Sequence, residues 1–406
     1  MQRKIRTVFM RGGTSRALFF REEDLPSDLE VRARVILAAY GSPDPYARQI
    51  NGIGGATSTT SKVAIIGRGS LPGVDVNYTF GQVDITRPLI DGRGNCGNIS
   101  SAVGPYAVDE GFVPIQEPIT DVRFLNTNTN KVIVAHVPTR DGRFDEEGDF
   151  AIDGVPGTGS KIVLDYLDPG GAVTGRLLPT GRARDVLDVP GVGQIEVSIV
   201  DAANPLVFCR FEDFGLTGEE QPEEIDADPD LLGRIEAVRA AAGVAAGIAP
   251  TAEEMTSKVP SGPKLAFVTA PRSYRRISGQ VCAADSVDLV AKIMSMGKVH
   301  RAYALTGAVC TTIAAAVPGT LVREVVSAEA RDTGRVRLGH PSGIIELTGK
   351  VVRDGDGWRA DKVSSTRTAR RLMEGFVLVP ERLFVPSRAG EMVAEWLGGS
   401  SAGGAD

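Results

Sequence analysis

Gly92, Gly94 and Gly97 spell G-x-G-x-x-G in the run IDGRGNCGNISSAVGPYAVDEGF, residues 90–112, and Cys96 stands inside it. Two chemistries compete for this stretch. Dinucleotide binding requires a βαβ unit and an acidic residue about 20 positions on, at the end of the next strand. Here Asp109 and Glu110 fall within or at the end of the helix-like segment, and the following strand, VRFLN, ends in asparagine. The second glycine cluster, GIGGATSTTSK, fails as a phosphate loop because Ser61 stands where glycine should precede Lys62. Both clusters read instead as backbone freedom. What remains is a thiol just before the first turn of a helix, where unpaired N–H groups favour negative charge, bind carboxylates and lower a thiol pKa. Asn95, Gly97 and Asn98 are polar or open where a packed cysteine would want apolar bulk, which favours a reactive Cys96.

The elements that must hold this thiol occur twice. RTVFMRGGTSRALFFREEDL from Arg6 lies over EVSIVDAANPLVFCRFEDFGL from Glu196, and SKVAIIG from Ser61 over PKLAFVT from Pro263. NCGNISSAVGPYAV then matches LTGAVCTTIAAAVPG, and VRFLNTNTNKVIVAHVPTRDGRF from Val122 matches VRLGHPSGIIELTGKVVRDGDGW from Val336. Four blocks in one order imply two related halves. Each half has one helix that is apolar nearly all round, carrying Ile99, Val103 and Tyr106 in the first and Val309, Ile313 and Ala314 in the second. A helix without a solvent face must be enclosed. The expected fold is therefore α+β, two pseudo-symmetric domains, each a β-sheet wrapped around a central helix. The expected boundaries are 1–187 for the first domain, with about 378–397 packing back on it, and 188–377 for the second. The second is expected to carry an inserted acidic and helical segment, 217–260, and residues 398–406 a disordered tail.

Composition narrows the function classes. A chain of 406 residues exceeds one ordinary core, and 42% hydrophobic with 24% charged residues is a globular balance. The formal charge of −6 argues against a nucleic-acid partner. No apolar run approaches the about 18 residues of a membrane span. The N-terminal MQRKIRTVFMRGG has no apolar stretch with a small-residue cleavage site, so a cytoplasmic location is expected. Four scattered cysteines and three histidines offer no metal spacing and no disulfide framework.

MRGGTS at Met10, RQINGIGGATSTTSKVAII at Arg48, GNCGN at Gly94 and MSMGKVHRAYALTGAVC at Met294 resemble the PrpF family of the diaminopimelate-epimerase-like fold. The resemblance runs from about residue 5 to about residue 385. That family includes 2-methylaconitate isomerase, 4-oxalomesaconate tautomerase or Δ-isomerase, and methylitaconate Δ-isomerase. The resemblance implies cofactor-independent proton movement on an unsaturated di- or tricarboxylate, with Lys62 and Cys96 as the catalytic pair. A base and a proton donor suffice for such a shift. Lys62 can be that base only if burial or a cationic neighbour lowers its pKa, and SKVAII puts it at the mouth of an apolar strand. The alternative for Lys62 is pairing with a carboxylate.

Matched positions would bind the acid groups. Gly12, Gly13, Thr14 and Ser15 form a turn that can accept a carboxylate, and Gly97 and Asn98 supply the helix N-terminus. From the second half come Met296, Gly297, Lys298 and His300, with Thr306 and Gly307. Aligning NCGN with LTGA places Thr306 opposite Cys96 and leaves Cys310 packed inside the helix, which disfavours thiol-to-thiol racemisation. His136 and His340 are unassigned. The expected activity is an allylic Δ-isomerase without cofactor or metal, acting on a polycarboxylate, with a homodimer as a further expectation. A keto–enol tautomerase, then a racemase or epimerase, then a non-catalytic acid-binding protein are the alternatives.

Overall fold

The computed structural model describes residues 1–355, 357–385 and 395–397. The chain forms two compact units, the first from residues 1–150, 158–162, 367–385 and 395–397, the second from residues 151–157 and the described residues of 163–366.

In the first unit, Gln2–Gly12 and Ser15–Arg21 form an antiparallel hairpin. Ser15–Arg21 runs parallel to Lys62–Arg68, which pairs antiparallel with Val76–Val83. Val76–Val83 in turn runs parallel to Ile119–Asn126, the partner of Lys131–Arg140. Alternation along these strands sorts their side chains. Leu18, Phe20, Val63 and Ile65 pack with Val31, Val35 and Ile36 of the helix Leu29–Tyr40. That helix starts where the Asp28 carboxylate accepts the Val31 N–H at 2.9 Å and stops at Gly41, whose φ of 72° only glycine adopts cheaply. The opposite set, which includes Phe19 and Lys62, faces the central helix Gly97–Asp109; the Phe19 and Tyr106 rings lie 5.3 Å apart. Every residue of that helix from Gly97 to Val108 is buried, and Ser100 and Ser101 turn their hydroxyls onto the carbonyls of Cys96 and Asn98.

The second unit repeats this pattern. Gly193–Ala202 and Asn204–Arg210 form the hairpin, Asn204–Arg210 runs parallel to Lys264–Thr269, and Lys264–Thr269 pairs antiparallel with Leu289–Ser295. Leu289–Ser295 is parallel to Arg335–His340, whose partner is Gly343–Asp354. The helix Leu305–Ala316 is buried through Ala315.

Two expectations are corrected. The units divide near residues 150 and 367 rather than 187 and 377, because Ala369–Pro380 pairs with Gln2–Gly12 while Asp185–Val189 pairs with Gly193–Ala202. Segment 217–260 is no insertion. Its helix Pro229–Ala245 buries Leu231, Ile235 and Val238 against Leu265 and Phe267, so it stands where Leu29–Tyr40 stands in the first unit. The expected tail, 398–406, lies outside the described residues, as does 386–394 of the segment expected to pack back.

Candidate active site

Lys62 opens its strand and is 7% exposed. Its neighbours fix it at both ends. The Tyr40 hydroxyl accepts the Leu18 N–H at 2.9 Å and donates to the Lys62 carbonyl, bridging two parallel strands where the ladder begins. At the far end, Nζ donates to Gln82 Oε1 at 2.5 Å and lies 5.4 Å from the centre of the Phe80 ring. Burial holds the ammonium below its ordinary range, and the charge of a Cys96 thiolate would oppose that shift.

Cys96 is the residue preceding the central helix, with extended φ and ψ, and is partly exposed. Its carbonyl begins the helical ladder by accepting from the Ser100 N–H at 2.8 Å, while the neighbouring Asn95 accepts from the Ser100 hydroxyl at 3.1 Å. The turn Gly12–Ser15 presses on the same helix end. A Cβ added at Gly12 would lie 2.3 Å from the Asn98 carbonyl oxygen, and one at Gly13, φ +49°, would lie 2.2 Å from Asn98 Oδ1. No side chain fits there. Thr14 Oγ1 accepts from Asn98 Nδ2 at 3.0 Å, and the buried Ser15 hydroxyl has no hydrogen-bond partner among the described residues. Lys62, Cys96, Asn98 and the turn Gly12–Ser15 thus belong to one unit and converge on the first turn of its central helix. Such an arrangement can hold a carboxylate on backbone N–H groups and move a proton between an amine and a thiol.

Sequence reasoning missed three supporting residues. Gln82 holds the lysine. Arg367, 6% exposed, brings its guanidinium beside the Gly12–Ser15 turn and donates through Nε to Asn98 Oδ1 at 3.3 Å. Asn128 ties the Gly92 carbonyl, in the loop leading to Cys96, to the backbone of Phe80. Gln82 and Arg367 lie in none of the quoted segments, and Asn128 lies in VRFLNTNTNKVIVAHVPTRDGRF, which marked the repeat and not the site; Gln82 had a signal as a polar residue in a strand-like run.

In the second unit, Met296 and Gly297, with φ of 53° and 74°, make the two-residue turn of a hairpin whose strands pair Met294 with Val299. They line a small cavity with Leu232, Ile235 and Arg239 of the helix Pro229–Ala245. Lys298 is exposed and donates to the Asp226 carbonyl at 3.0 Å. His300 is buried, and its Nδ1 accepts the Ala302 N–H at 3.0 Å, so a neutral ring carries its proton on Nε2. His136 meets Asp121 at 2.6 Å, and His340 accepts from the Ser342 N–H at 3.2 Å. Gly307 packs against Ile293 and Tyr303. Cys209, Cys282 and Cys310 are buried.

Packing also corrects the register of the two helices. Gly104 faces Val137 in the first unit, and Thr312 faces Gly349 in the second; with Val122 paired to Ala135 and Val336 to Leu347, Gly349 is the strand position that matches Val137. The Thr14–Asn98 hydrogen bond is mirrored, with residue types exchanged, by Asn204 Nδ2 donating to Thr306 Oγ1 at 3.1 Å. Thr306 is therefore the counterpart of Asn98, and the counterpart of Cys96 is Ala304, the residue before the second helix. Side-chain volume across the helix–sheet contact sets this register, where letter similarity had set it two residues away.

The PrpF protein family model matches residues 2–380. The 3-methylitaconate isomerase of Eubacterium barkeri is 47% identical over 388 residues, covering 95% of this chain and 99% of that protein. The 2-methyl-aconitate isomerase of Shewanella oneidensis is 41% identical over 391 residues, covering 94% and 98%. The crystal structure of methylitaconate-delta-isomerase matches with a TM-score of 0.77 at 46% identity, over 96% of this chain and 99% of that one. A hydroxyproline epimerase from Agrobacterium vitis, 13% identical, matches with a TM-score of 0.53 over 94% and 95%, and bears out the expected epimerase-like fold. Among the described residues, no helix is long and apolar enough to cross a membrane.

Proposed function

The chain belongs to the PrpF family, and on that premise we propose that it is an isomerase shifting a carbon–carbon double bond in an unsaturated di- or tricarboxylate. The observation that carries this reading is a buried lysine, held below its ordinary pKa range, beside a partly exposed thiol at the N-terminus of an enclosed helix. Neutral Lys62 takes the proton from the carbon next to the double bond. The electron pair left behind spreads through the double bond into the adjoining carboxylate, giving a dienolate, and the Cys96 thiol returns a proton at the far end of the allylic system. Backbone N–H groups of Gly97 and Asn98, the Gly12–Ser15 turn and Arg367 favour the charge that develops. Proton transfer from Lys62 to Cys96 then resets the site, so no electrons are gained or lost.

Ala304 at the position matching Cys96 supports isomerisation over a two-thiol racemisation, because an alanine can neither take nor give a proton. The proposal extends to a cytoplasmic homodimer whose small-molecule partner is a polycarboxylate, with no nucleic-acid or membrane partner. Incubation with methylitaconate or 2-methylaconitate in heavy water, followed by proton NMR, tests the reaction. The expected result is migration of the double bond, with deuterium entering at the far carbon of the allylic system, the one that Cys96 protonates. Exchange without net conversion would favour the tautomerase or epimerase alternative, and neither exchange nor conversion would overturn the proposal.

A further inference from the structure

Gln82 is 5% exposed and sits directly across the strand pair from Lys62. Its Nε2 donates to the carbonyls of Ser58 at 3.2 Å and Ser61 at 2.9 Å, which spends both amide hydrogens and fixes which end of the side chain faces the lysine. Oε1 is the end that remains, 2.5 Å from Lys62 Nζ. An amide oxygen has no proton to give, so it accepts from the ammonium and from the neutral amine alike. When Lys62 is neutral, one N–H stays on Oε1, and the nitrogen lone pair must point elsewhere, because two lone pairs repel.

The next residue in the same cross-strand row is Asp91, paired in register with Gln82. Its carboxylate accepts from the Arg93 N–H at 3.1 Å and from Arg93 Nε at 3.3 Å. The groups around Lys62 are thus the Cys96 thiol, the Tyr40 hydroxyl on its carbonyl, the Phe80 ring, and the Asp91–Arg93 pair beyond Gln82. A carboxylate at position 82 would hold the lysine charged; a neutral amide leaves it free to lose its proton while still orienting it.

We propose that Gln82 is a positioning residue for this reaction, aiming the Lys62 lone pair toward the substrate and separating the lysine from Asp91. The inference rests on Lys62 being the base. The experiment measures kcat and KM for methylitaconate against pH in the wild type, Gln82→Glu, Gln82→Met and Lys62→Met. For Gln82→Glu, the acid limb of kcat/KM is expected to move up by about one pH unit or more, so that activity at neutral pH falls about 10-fold and returns as pH rises. For Gln82→Met, kcat is expected to fall roughly 10- to 100-fold with KM within about 2-fold and no upward movement of the limb. Equal losses in both variants with an unmoved limb would mean that Gln82 only braces the 58–61 backbone, and would overturn the proposal. So would a Gln82→Met kcat within about 2-fold of wild type, a result that decides the matter alone if Gln82→Glu does not fold. Turnover by Lys62→Met would defeat the base assignment and this inference with it, whereas an inactive Lys62→Met beside unmoved Gln82 profiles would defeat the inference only.

Discussion

Replacing Gly12 by alanine tests whether the turn at residues 12–15 positions the thiol and helix end. The added Cβ would lie 2.3 Å from the Asn98 carbonyl oxygen and 3.2 Å from the Ala102 side chain, against about 3.4 Å for an ordinary contact. The obstacle is backbone, so relief requires the turn and the first turn of the helix to separate by about 1 Å. Overpacking of this kind costs about 1–3 kcal/mol, and misplacing catalytic groups by about 1 Å costs on the order of 100-fold in rate. Gly12→Ala should therefore stay folded, melt lower, and lose about 100-fold in kcat/KM. Gly233→Ala is the control. It lies inside the helix Pro229–Ala245, a Cβ there meets nothing within 4 Å, and the change should gain about 0.5–1 kcal/mol without altering kinetics. Thermal melts and steady-state kinetics on both variants decide the matter. A Gly12→Ala enzyme within about 3-fold of wild type would refute the claim that this contact holds the site.

Cys96 should react with iodoacetamide faster than Cys209, Cys282 and Cys310, since it alone of the four is partly exposed and burial pushes the Cys209 and Cys310 thiols up; peptide mass mapping with and without bound polycarboxylate reads the order. Lys62→Met should lose both conversion and exchange at the deprotonated carbon, whereas Cys96→Ser should lose roughly 10²- to 10⁴-fold in conversion while keeping some exchange. The opposite pattern by NMR in heavy water would make the thiolate the base. Burial pushes Lys292 down to about 8, so between there and its ordinary 10.5 the unfolded chain holds a proton that the folded one lacks. Stability in urea should therefore rise across that pH window, by up to about 3 kcal/mol from this group, and Lys292→Met should flatten the rise; an unchanged slope would show that Lys292 stays charged in the fold.

The sequence was most legible where one residue type allows one solution. A helix with Val103, Tyr106 and Ala107 on all sides had to be enclosed, and it is. Cys96 among small polar residues marked the N-terminal end of that helix. Contacts fixed by pairing register were not legible. Gln82 meets Lys62 only because residues 62–68 and 76–83 pair in one particular register, and Arg367 reaches Asn98 across 269 positions of chain. The relation between the two helices misled for a similar reason. Matching LTGA to NCGN follows letters, whereas Gly104 against Val137 and Thr312 against Gly349 exchange which side of the contact carries the β-branched residue, which no single segment displays. The 217–260 segment looked inserted because its acidic run and alanine-rich helix share no letters with residues 22–61, although each covers the same face of its sheet.

The pairing of Ala369–Pro380 with Gln2–Gly12 has a consequence for the order of synthesis. The ribosome makes Gln2–Gly12 before the second unit and its neighbour Ala369–Pro380 after it. A nascent chain can complete that second unit while Gln2–Gly12 still has an open hydrogen-bonding edge, and closing a loop of more than 350 residues is slow compared with local pairing. Until then the edge is a surface on which another nascent chain could pair. Arg367, beside the Gly12–Ser15 turn, emerges with the same late segment, so a chain cut short before it carries Lys62 and Cys96 but not the guanidinium beside them. Unfinished copies are thereby separated from finished ones by a missing charge as well as by a missing strand.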